Sequence, residues 1–166
     1  ASVNAIIGQS GTGKSTLADA FGFLADCLEK GVEEACDLNG RGGFEKIISQ
    51  GSAEPIEFEI YYREKSNDAP ITYELSIGLD KNSRPIVEKE RLRQRRQKER
   101  YGRPMSFLFL EHGKGYAFKG INSGFLEEEN KEVGDKVDVE LVDPRQLGIV
   151  TLGELKEHPR IVKFKN

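Results

Sequence analysis

Residues 8–16 read GQSGTGKST and carry the spacing of a phosphate-binding loop. The required positions of the pattern G-x-x-x-x-G-K-[ST] are filled by Gly8, Gly13, Lys14 and Ser15. A short apolar run at residues 3–7 precedes the loop, and apolar residues at helical spacing follow it. Strand, loop and helix therefore occur in the order that the motif requires, and the sequence predicts a phosphate site at a helix N-terminus.

The residue types in this loop suit a bound nucleotide. Glycines allow the backbone to adopt positive φ and to turn successive N–H groups towards a phosphate. Lys14 supplies a full charge for the β- and γ-phosphates, and the Ser15 hydroxyl is placed to ligate Mg²⁺. The guanine-reading N-K-x-D pattern is absent from the sequence, which favours ATP over GTP. We expect ATP and Mg²⁺ to be held by Gly8, Ser10, Gly11, Thr12, Gly13, Lys14, Ser15 and Thr16.

Composition limits the size and the setting of the fold. A chain of 166 residues with 37% hydrophobic residues can bury one core, with a lobe attached. The net charge of −3 provides no global basic field for nucleic acid. Cys27 and Cys36 are interpreted as free thiols of a reducing cytoplasm and not as metal ligands. No apolar run approaches the roughly 20 residues of a membrane span, so we expect a cytoplasmic protein with no membrane partner.

The chain after the first helix is predicted to be rich in antiparallel strands. Residues 56–63 and 71–80 alternate between apolar and polar side chains, as half-solvated strands do. Further strands are predicted at 86–93, 105–111, 115–119 and 137–143, and a last helix over 152–157 that stops at Pro159. We divide the chain into a P-loop unit (1–53), a β lobe (54–143) and a terminal segment (144–166), all within one structural unit.

A second acidic motif, which an ATPase uses to hold Mg²⁺ and polarise water, is not evident in the sequence. The nearest candidate is the apolar run at 107–110, which ends in Glu111 in place of Asp. A glycine-containing turn follows at once, so we interpret Glu111 as the end of a hairpin arm. No L-S-G-G-Q-like signature occurs either. The sequence predicts a chain that binds a nucleotide but does not hydrolyse it efficiently alone.

This arrangement resembles the N-terminal half of an ABC-type ATPase head. It looks most similar to the AAA family predicted ATPases that group with chromosome-maintenance and recombination-repair ATPases. The likeness is carried by residues 11–17 with 19–21, by 41–48, by 90–93 and by 113–118. It implies an α/β P-loop NTPase fold in which the P-loop strand and helix are joined to a mostly antiparallel β subdomain. It also implies a C-terminal half that carries the acidic motif and the signature, and an ATP-dependent homodimer.

The resemblance assigns roles to two further residues. Arg41 matches an arginine-loop position and is a candidate sensor of phosphate or DNA; the alternative is a solvated loop arginine. Gln146 lies where a Q-loop glutamine follows the β lobe, and its amide oxygen is a candidate ligand that bridges Mg²⁺ and the attacking water. The alternative is an ordinary surface glutamine. In this interpretation Lys14 and Gln146 are catalytic, and Ser15 and Gln146 hold the metal.

Two interpretations remain open for the basic run from Lys89 to Arg103. It could grip a nucleic-acid backbone, or its charges could flank a solvated hairpin that guards an exposed edge strand. We favour the second, because Tyr101 is the only aromatic residue within the run. For the whole chain, the alternative functions are a small-substrate kinase and a nucleotide-dependent binding module. A kinase needs arginines near the end of a helix, whereas this run lies in a strand-rich region.

Overall fold

The computed structural model describes residues 14–48, 54–63, 70–94, 104–119, 135–158 and 161–162. Helix α1 (Lys14–Lys30) leads into α2 (Val32–Asp37), a single 3₁₀ turn (Leu38–Gly40) and α3 (Phe44–Ile47). Six strands follow, and α4 (Gly148–Leu152) comes after the last of them. The strands are β1 (Ile56–Tyr62), β2 (Ile71–Leu79), β3 (Pro85–Gln94), β4 (Met105–Glu111), β5 (Lys114–Phe118) and β6 (Lys136–Glu140).

The strands form one antiparallel meander in the order β1-β2-β3-β4-β5-β6. This confirms the predicted antiparallel β lobe and each of its six strands. Two register shifts interrupt the ladder, between Ser76 and Ile77 on β2 and between Leu92 and Arg93 on β3. Such irregularities increase the local twist and change which face a neighbouring side chain occupies. The outer strands β1 and β6 form the two edges of the sheet in the described part of the chain.

The core lies between one face of the sheet and the helices. The alternation of β2 directs Tyr73, Leu75 and Ile77 to this face, and all three are buried. Helix α1 contributes Phe23, whose ring stacks on Phe58 of β1 with a centroid distance of 6.2 Å, and Cys27, which has no exposed surface. The apolar stripe of α1 and the apolar face of the sheet thus bury each other.

Helix α1 ends at a glycine. Gly31 has a φ of 88°, a value that side chains with a Cβ rarely adopt, and its N–H donates to the carbonyl of Cys27 at 3.0 Å. The helix therefore ends at Lys30, where this glycine follows. The residue after it, Val32, starts α2 and is itself fully buried.

The terminal helix lies earlier than predicted. Helix α4 spans Gly148–Leu152, whereas residues 153–157 form turns, so the predicted helix over 152–157 is wrong. The sequence placed the helix next to Pro159, but the helix begins where a glutamate of the sheet accepts hydrogen bonds from its first N–H groups. This tertiary contact, described below, is not visible in local sequence pattern.

Candidate nucleotide-binding site

The N-terminus of α1 lies where the phosphate-binding motif predicts it. Lys14 is the first residue of the helix, and the side chains of Ser15 and Thr16 in its first turn are exposed. Gly8, Ser10, Gly11, Thr12 and Gly13 lie outside the described residues. With 17 residues, the helix is long enough to carry a full macrodipole, whose positive end coincides with Ser15 and Thr16. An anionic ligand at this end would face free backbone N–H groups and two hydroxyls.

Arg41 contacts residues of α1 and α2. Its Nη1 is 2.5 Å from Oδ2 of Asp26 and donates to the carbonyl of Ala35 at 2.9 Å. The guanidinium also lies over the ring of Phe23, 5.3 Å from the centroid. Only 16% of its side chain is exposed. The structure thus places Arg41 against α1 and α2, where it joins the loop after the 3₁₀ turn to the core.

Gln146 lies at the other end of α1 from the phosphate-binding motif. A Cβ built on Gly31 would be 2.8 Å from Nε2 of Gln146, so this side chain packs on the α1–α2 corner. Helix α1 rises about 1.5 Å per residue, which puts Gly31 roughly 25 Å from Ser15. The structure therefore does not bring Gln146 and Ser15 together, and in this arrangement the two side chains cannot ligate one Mg²⁺.

The segment around Gln146 is anchored at several points. The carbonyl of Arg145 accepts from Val32 N at 2.9 Å, and the carbonyl of Pro144 accepts from Val87 N at 2.9 Å. The Arg145 guanidinium bonds Asp143 at 2.8 Å and Glu33 of α2 at 2.7 Å. Its hydrogen bonds lower the pKa of Asp143 below the ordinary value. Residues 143–149, which we term the strap, thus connect the helices to β3.

Glu111 ends β4 in an antiparallel hairpin. It pairs with Lys114 of β5 across a two-residue turn in which His112 and Gly113 have φ of 48° and 76°. Positive φ at both central residues is typical of the tight turns that join paired strands. The hairpin interpretation is confirmed. An exposed carboxylate at the tip of a hairpin lacks the setting of an acidic motif, which lies at the end of a core strand beside the P-loop.

The two described arginines of the basic run lie beside carboxylates of neighbouring strands. Arg93 contacts Glu74 at 2.7 Å and Glu59 at 3.3 Å, and Arg91 lies 3.7 Å from Glu74. Arg91 also donates to the Ser106 hydroxyl at 2.6 Å. These side chains occupy the face of the sheet opposite to the core. Residues 95–103, the remainder of the run, lie outside the described residues.

The core face contains one buried carboxylate that the sequence interpretation treated only as part of the basic run. Glu90 has no exposed surface and lies between Leu75 of β2 and Leu110 of β4 in the register of the sheet. It accepts hydrogen bonds from the backbone N–H of Gly148 at 2.5 Å and of Ile149 at 3.0 Å. Its period-two relation to buried Leu92 is the signal that could have identified it as an inward-facing residue.

Neither cysteine has the character of a reactive thiol. Burial raises the pKa of Cys27 to about 12 and that of Cys36 to about 11. Both are therefore protonated at neutral pH, and the thiolate is the nucleophile and the metal ligand. Among the described residues, no group of three or more His, Cys, Asp or Glu side chains could hold a metal ion. The prediction of free thiols is confirmed.

A family model described as "AAA domain, putative AbiEii toxin, Type IV TA system" matches residues 3–126. The match includes the phosphate-binding motif, α1 and the first five strands. The chain belongs to this AAA domain family. It is accordingly a nucleotide-binding, P-loop ATPase-like domain, as the motif predicted, and this family uses ATP.

No match was found among curated proteins or among solved structures. Within the described residues of the AAA domain, no helix is both long and apolar enough to cross a membrane.

Proposed function

We propose that this AAA domain is the Mg-ATP-binding lobe of an ABC-type ATPase head, and that hydrolysis requires the C-terminal half of the head and pairing of two heads. The observation that carries the proposal is the family match across residues 3–126, which contains a complete phosphate-binding motif. In the proposal, Lys14 contacts the β- and γ-phosphates and Ser15 ligates Mg²⁺. The glycines of residues 8–13 and the hydroxyls of Ser10, Thr12 and Thr16 surround the phosphates.

The exposed apolar surface of α1 supports the proposal that a C-terminal half completes the ATPase head. Leu17 and Phe21 lie one turn apart on α1 and are 43% and 58% exposed, although Leu24 on the same helix is buried. In P-loop domains the helix after the loop is covered by the sheet that carries the loop and its acidic motif. An uncovered first half of α1, beside the phosphate end, is suited to packing against such a sheet. We propose that a C-terminal half covers it, and that ATP then pairs two heads.

The proposal assigns no catalytic carboxylate to the described residues. Glu111 is at a hairpin tip, and Glu90 is enclosed in the core of the β lobe. The position of Gln146 beside Gly31 also separates it from Ser15. Nucleotide binding is therefore the activity proposed for the chain itself, whereas hydrolysis is proposed for the completed head.

Calorimetry of Mg-ATP binding to wild type and to Lys14→Ala tests this function. A charge-assisted contact to phosphate contributes roughly 1.5–3 kcal/mol, so Lys14→Ala should weaken binding at least about tenfold. Lys30→Ala is the matched control, since Lys30 ends the same helix and pairs with its neighbour Glu29 at 3.2 Å. It should leave the affinity unchanged.

Equal affinities for wild type and Lys14→Ala would contradict the proposal. An equal loss in Lys14→Ala and Lys30→Ala would also contradict it, because that result would reflect net charge and not the phosphate site. Ser15→Ala adds a second arm: it should reduce the gain in affinity that Mg²⁺ gives, while binding of ATP without metal changes less.

A further inference from the structure

Glu90 takes the place of a missing cap on α4. The residue before the helix, Leu147, has no side chain that can accept a hydrogen bond, and none is made at that position. Both oxygens of the Glu90 carboxylate are used instead: Oε2 accepts from Gly148 N and Oε1 from Ile149 N. A carboxylate 58 residues away in sequence thus satisfies the first N–H groups of α4.

The backbone at Gly148 is shaped for this contact. A Cβ at position 148 would lie 2.9 Å from Oε2 of Glu90 and 2.4 Å from Cδ1 of Leu110. Any larger residue would therefore force the helix away from the sheet. The absence of a side chain lets the helix N-terminus approach a carboxylate that has no contact with solvent.

Two opposing effects act on the charge of Glu90. Burial disfavours the carboxylate and is the largest influence, whereas the N–H groups of Ile149 and Gly148 and the Tyr73 hydroxyl favour it. Together they raise the pKa of Glu90 to about 7. Among the described residues, the groups that face it are Tyr73 from β2 and the α4 amides; its neighbours Leu75 and Leu110 are apolar. Burial and the Glu90 carboxylate raise the pKa of Tyr73, and Cys27 of α1 adds to this effect.

Tyr73 allows the site to accommodate either protonation state. Its hydroxyl lies 3.1 Å from Oε1 of Glu90 and donates to the carboxylate. If Oε1 takes up a proton from solvent, the new O–H can donate to the Tyr73 oxygen, which reverses the direction of that bond. Oε1 then becomes a poorer acceptor for Ile149 N, while Oε2 keeps Gly148 N. Proton uptake therefore weakens one hydrogen bond to α4 but removes the larger cost of a charge enclosed in the core, so the neutral form favours the attached helix.

We propose that Glu90, Tyr73 and the N-terminus of α4 form a proton-linked latch between the sheet and the strap. Gain of the proton favours the attached position of α4, because the enclosed carboxyl is then neutral. Loss of the proton favours release of α4, because release admits solvent to the charge. The latch holds the same segment that carries Gln146 and that bonds the α1–α2 corner through Arg145. It involves no residue of the phosphate-binding motif and stands independently of nucleotide binding.

Amide NMR of the full chain as a function of pH tests the latch. The N–H signals of Gly148 and Ile149 should shift together with a common midpoint near neutral pH, and their protection from hydrogen exchange should be lower on the basic side of it. The shift should be absent in Glu90→Gln. It should persist in Glu88→Gln, the matched control, because Glu88 lies on the same strand but contacts Ser76.

A second variant keeps the test decisive if Glu90→Gln does not fold. Tyr73→Phe removes a hydrogen bond that favours the charged form, so the midpoint of the Gly148 and Ile149 shifts should move to higher pH. A latch is ruled out if both amides stay unchanged between about pH 5 and about pH 9. It is ruled out equally if their midpoint is the same in wild type and Tyr73→Phe, or if the shift survives in Glu90→Gln.

Discussion

At the scale of single residues, three charged side chains connect separate elements of the fold. Arg41 joins a loop to α1 through Asp26, and Arg145 joins the strap to α2 through Glu33. Glu90 joins β3 to α4. Each of these side chains is a charge whose partners are distant in sequence. Substitution of these side chains should therefore lower the free energy of unfolding.

Arg41→Ala should lower the free energy of unfolding by roughly 1–3 kcal/mol, because it leaves the largely buried Asp26 carboxylate without its cation. Urea unfolding measures this, with Arg84→Ala as a control from an exposed turn. Affinity for Mg-ATP should change less than about threefold, which is below 1 kcal/mol. A large loss of ATP affinity at unchanged stability would contradict this expectation. It would mean that Arg41 contacts the phosphate and does not stabilise the fold.

Glu90 should give stability a characteristic dependence on pH. Its pKa is raised from an ordinary 4.5 to about 7, so the folded state binds a proton more tightly than the unfolded chain. Its contribution is fully present below pH 4.5 and is lost as pH rises to about 7, by at most about 3 kcal/mol. Urea midpoints across this window should fall in wild type and in Glu88→Gln. In Glu90→Gln this part of the fall should vanish; a parallel decline in all three proteins would contradict the assignment.

At the scale of elements, α1 has two different halves. Its second half packs Phe23, Leu24 and Cys27 into the core, whereas its first half leaves Leu17 and Phe21 exposed. The helix therefore gains its tertiary stabilisation near the C-terminal end, away from the phosphate-binding motif. Since isolated helices of this length are marginal in water, packing of the second half supports the first.

A matched pair of leucines on α1 tests this division. Leu24→Ala should lower the free energy of unfolding by about 2–4 kcal/mol, because it opens a cavity at a position that is only 7% exposed. Leu17→Ala, the same change two turns earlier, should cost less than about 1 kcal/mol, because Leu17 is 43% exposed. Chemical unfolding compares the two. Similar losses would mean that Leu17 is covered in solution.

At the scale of the whole molecule, the described residues provide the first turn of the helix that follows the phosphate-binding motif, and a charged, six-stranded sheet. They provide no carboxylate placed to polarise water beside Ser15. The outer face of the sheet pairs its arginines with glutamates of β1 and β2, and the chain as a whole carries a net charge of −3. These properties limit both turnover and attraction of nucleic acid.

The purified chain should turn over ATP far more slowly than the 1–100 s⁻¹ typical of phosphoryl-transfer enzymes. The reason is that the sequence shows no evident second acidic motif, and that Glu111, the nearest candidate, lies at a hairpin tip. Phosphate release with saturating Mg-ATP measures the rate. Turnover in the typical range would show that a catalytic carboxylate exists in this chain, and Glu111→Gln is the first variant with which to locate it.

Duplex DNA should bind weakly, with a shallow dependence on salt. Arg91 and Arg93, which belong to the described part of the basic run, are engaged by Glu74 and Glu59, and the net charge of −3 gives no long-range attraction to DNA. Each phosphate contact would add about 0.9 to the slope of log affinity against log salt. Tight, steeply salt-dependent binding that is lost in the double variant Arg95→Glu, Arg96→Glu would overturn this expectation. The double variant Lys81→Glu, Arg84→Glu, from an exposed turn, controls for net charge.

The sequence by itself determined the features that depend on local pattern. The motif at residues 8–16 identified a nucleotide-binding P-loop domain. Alternation of side chains identified the strands at 56–63 and 71–80, because a half-buried strand must present apolar residues with a period of two, and the other four strands were also predicted. Turn residues identified the hairpin whose first strand ends at Glu111.

Only the tertiary structure decided where distant segments meet. Glu90 belonged to a basic run in sequence, yet the register of β3 directs it into the core, where it fixes the start of α4. Gln146 followed the β lobe as a Q-loop residue does, yet the strap carries it to the far end of α1. Such contacts depend on strand register and on the packing of helices across a sheet, and these arise from interactions between residues that no local window contains.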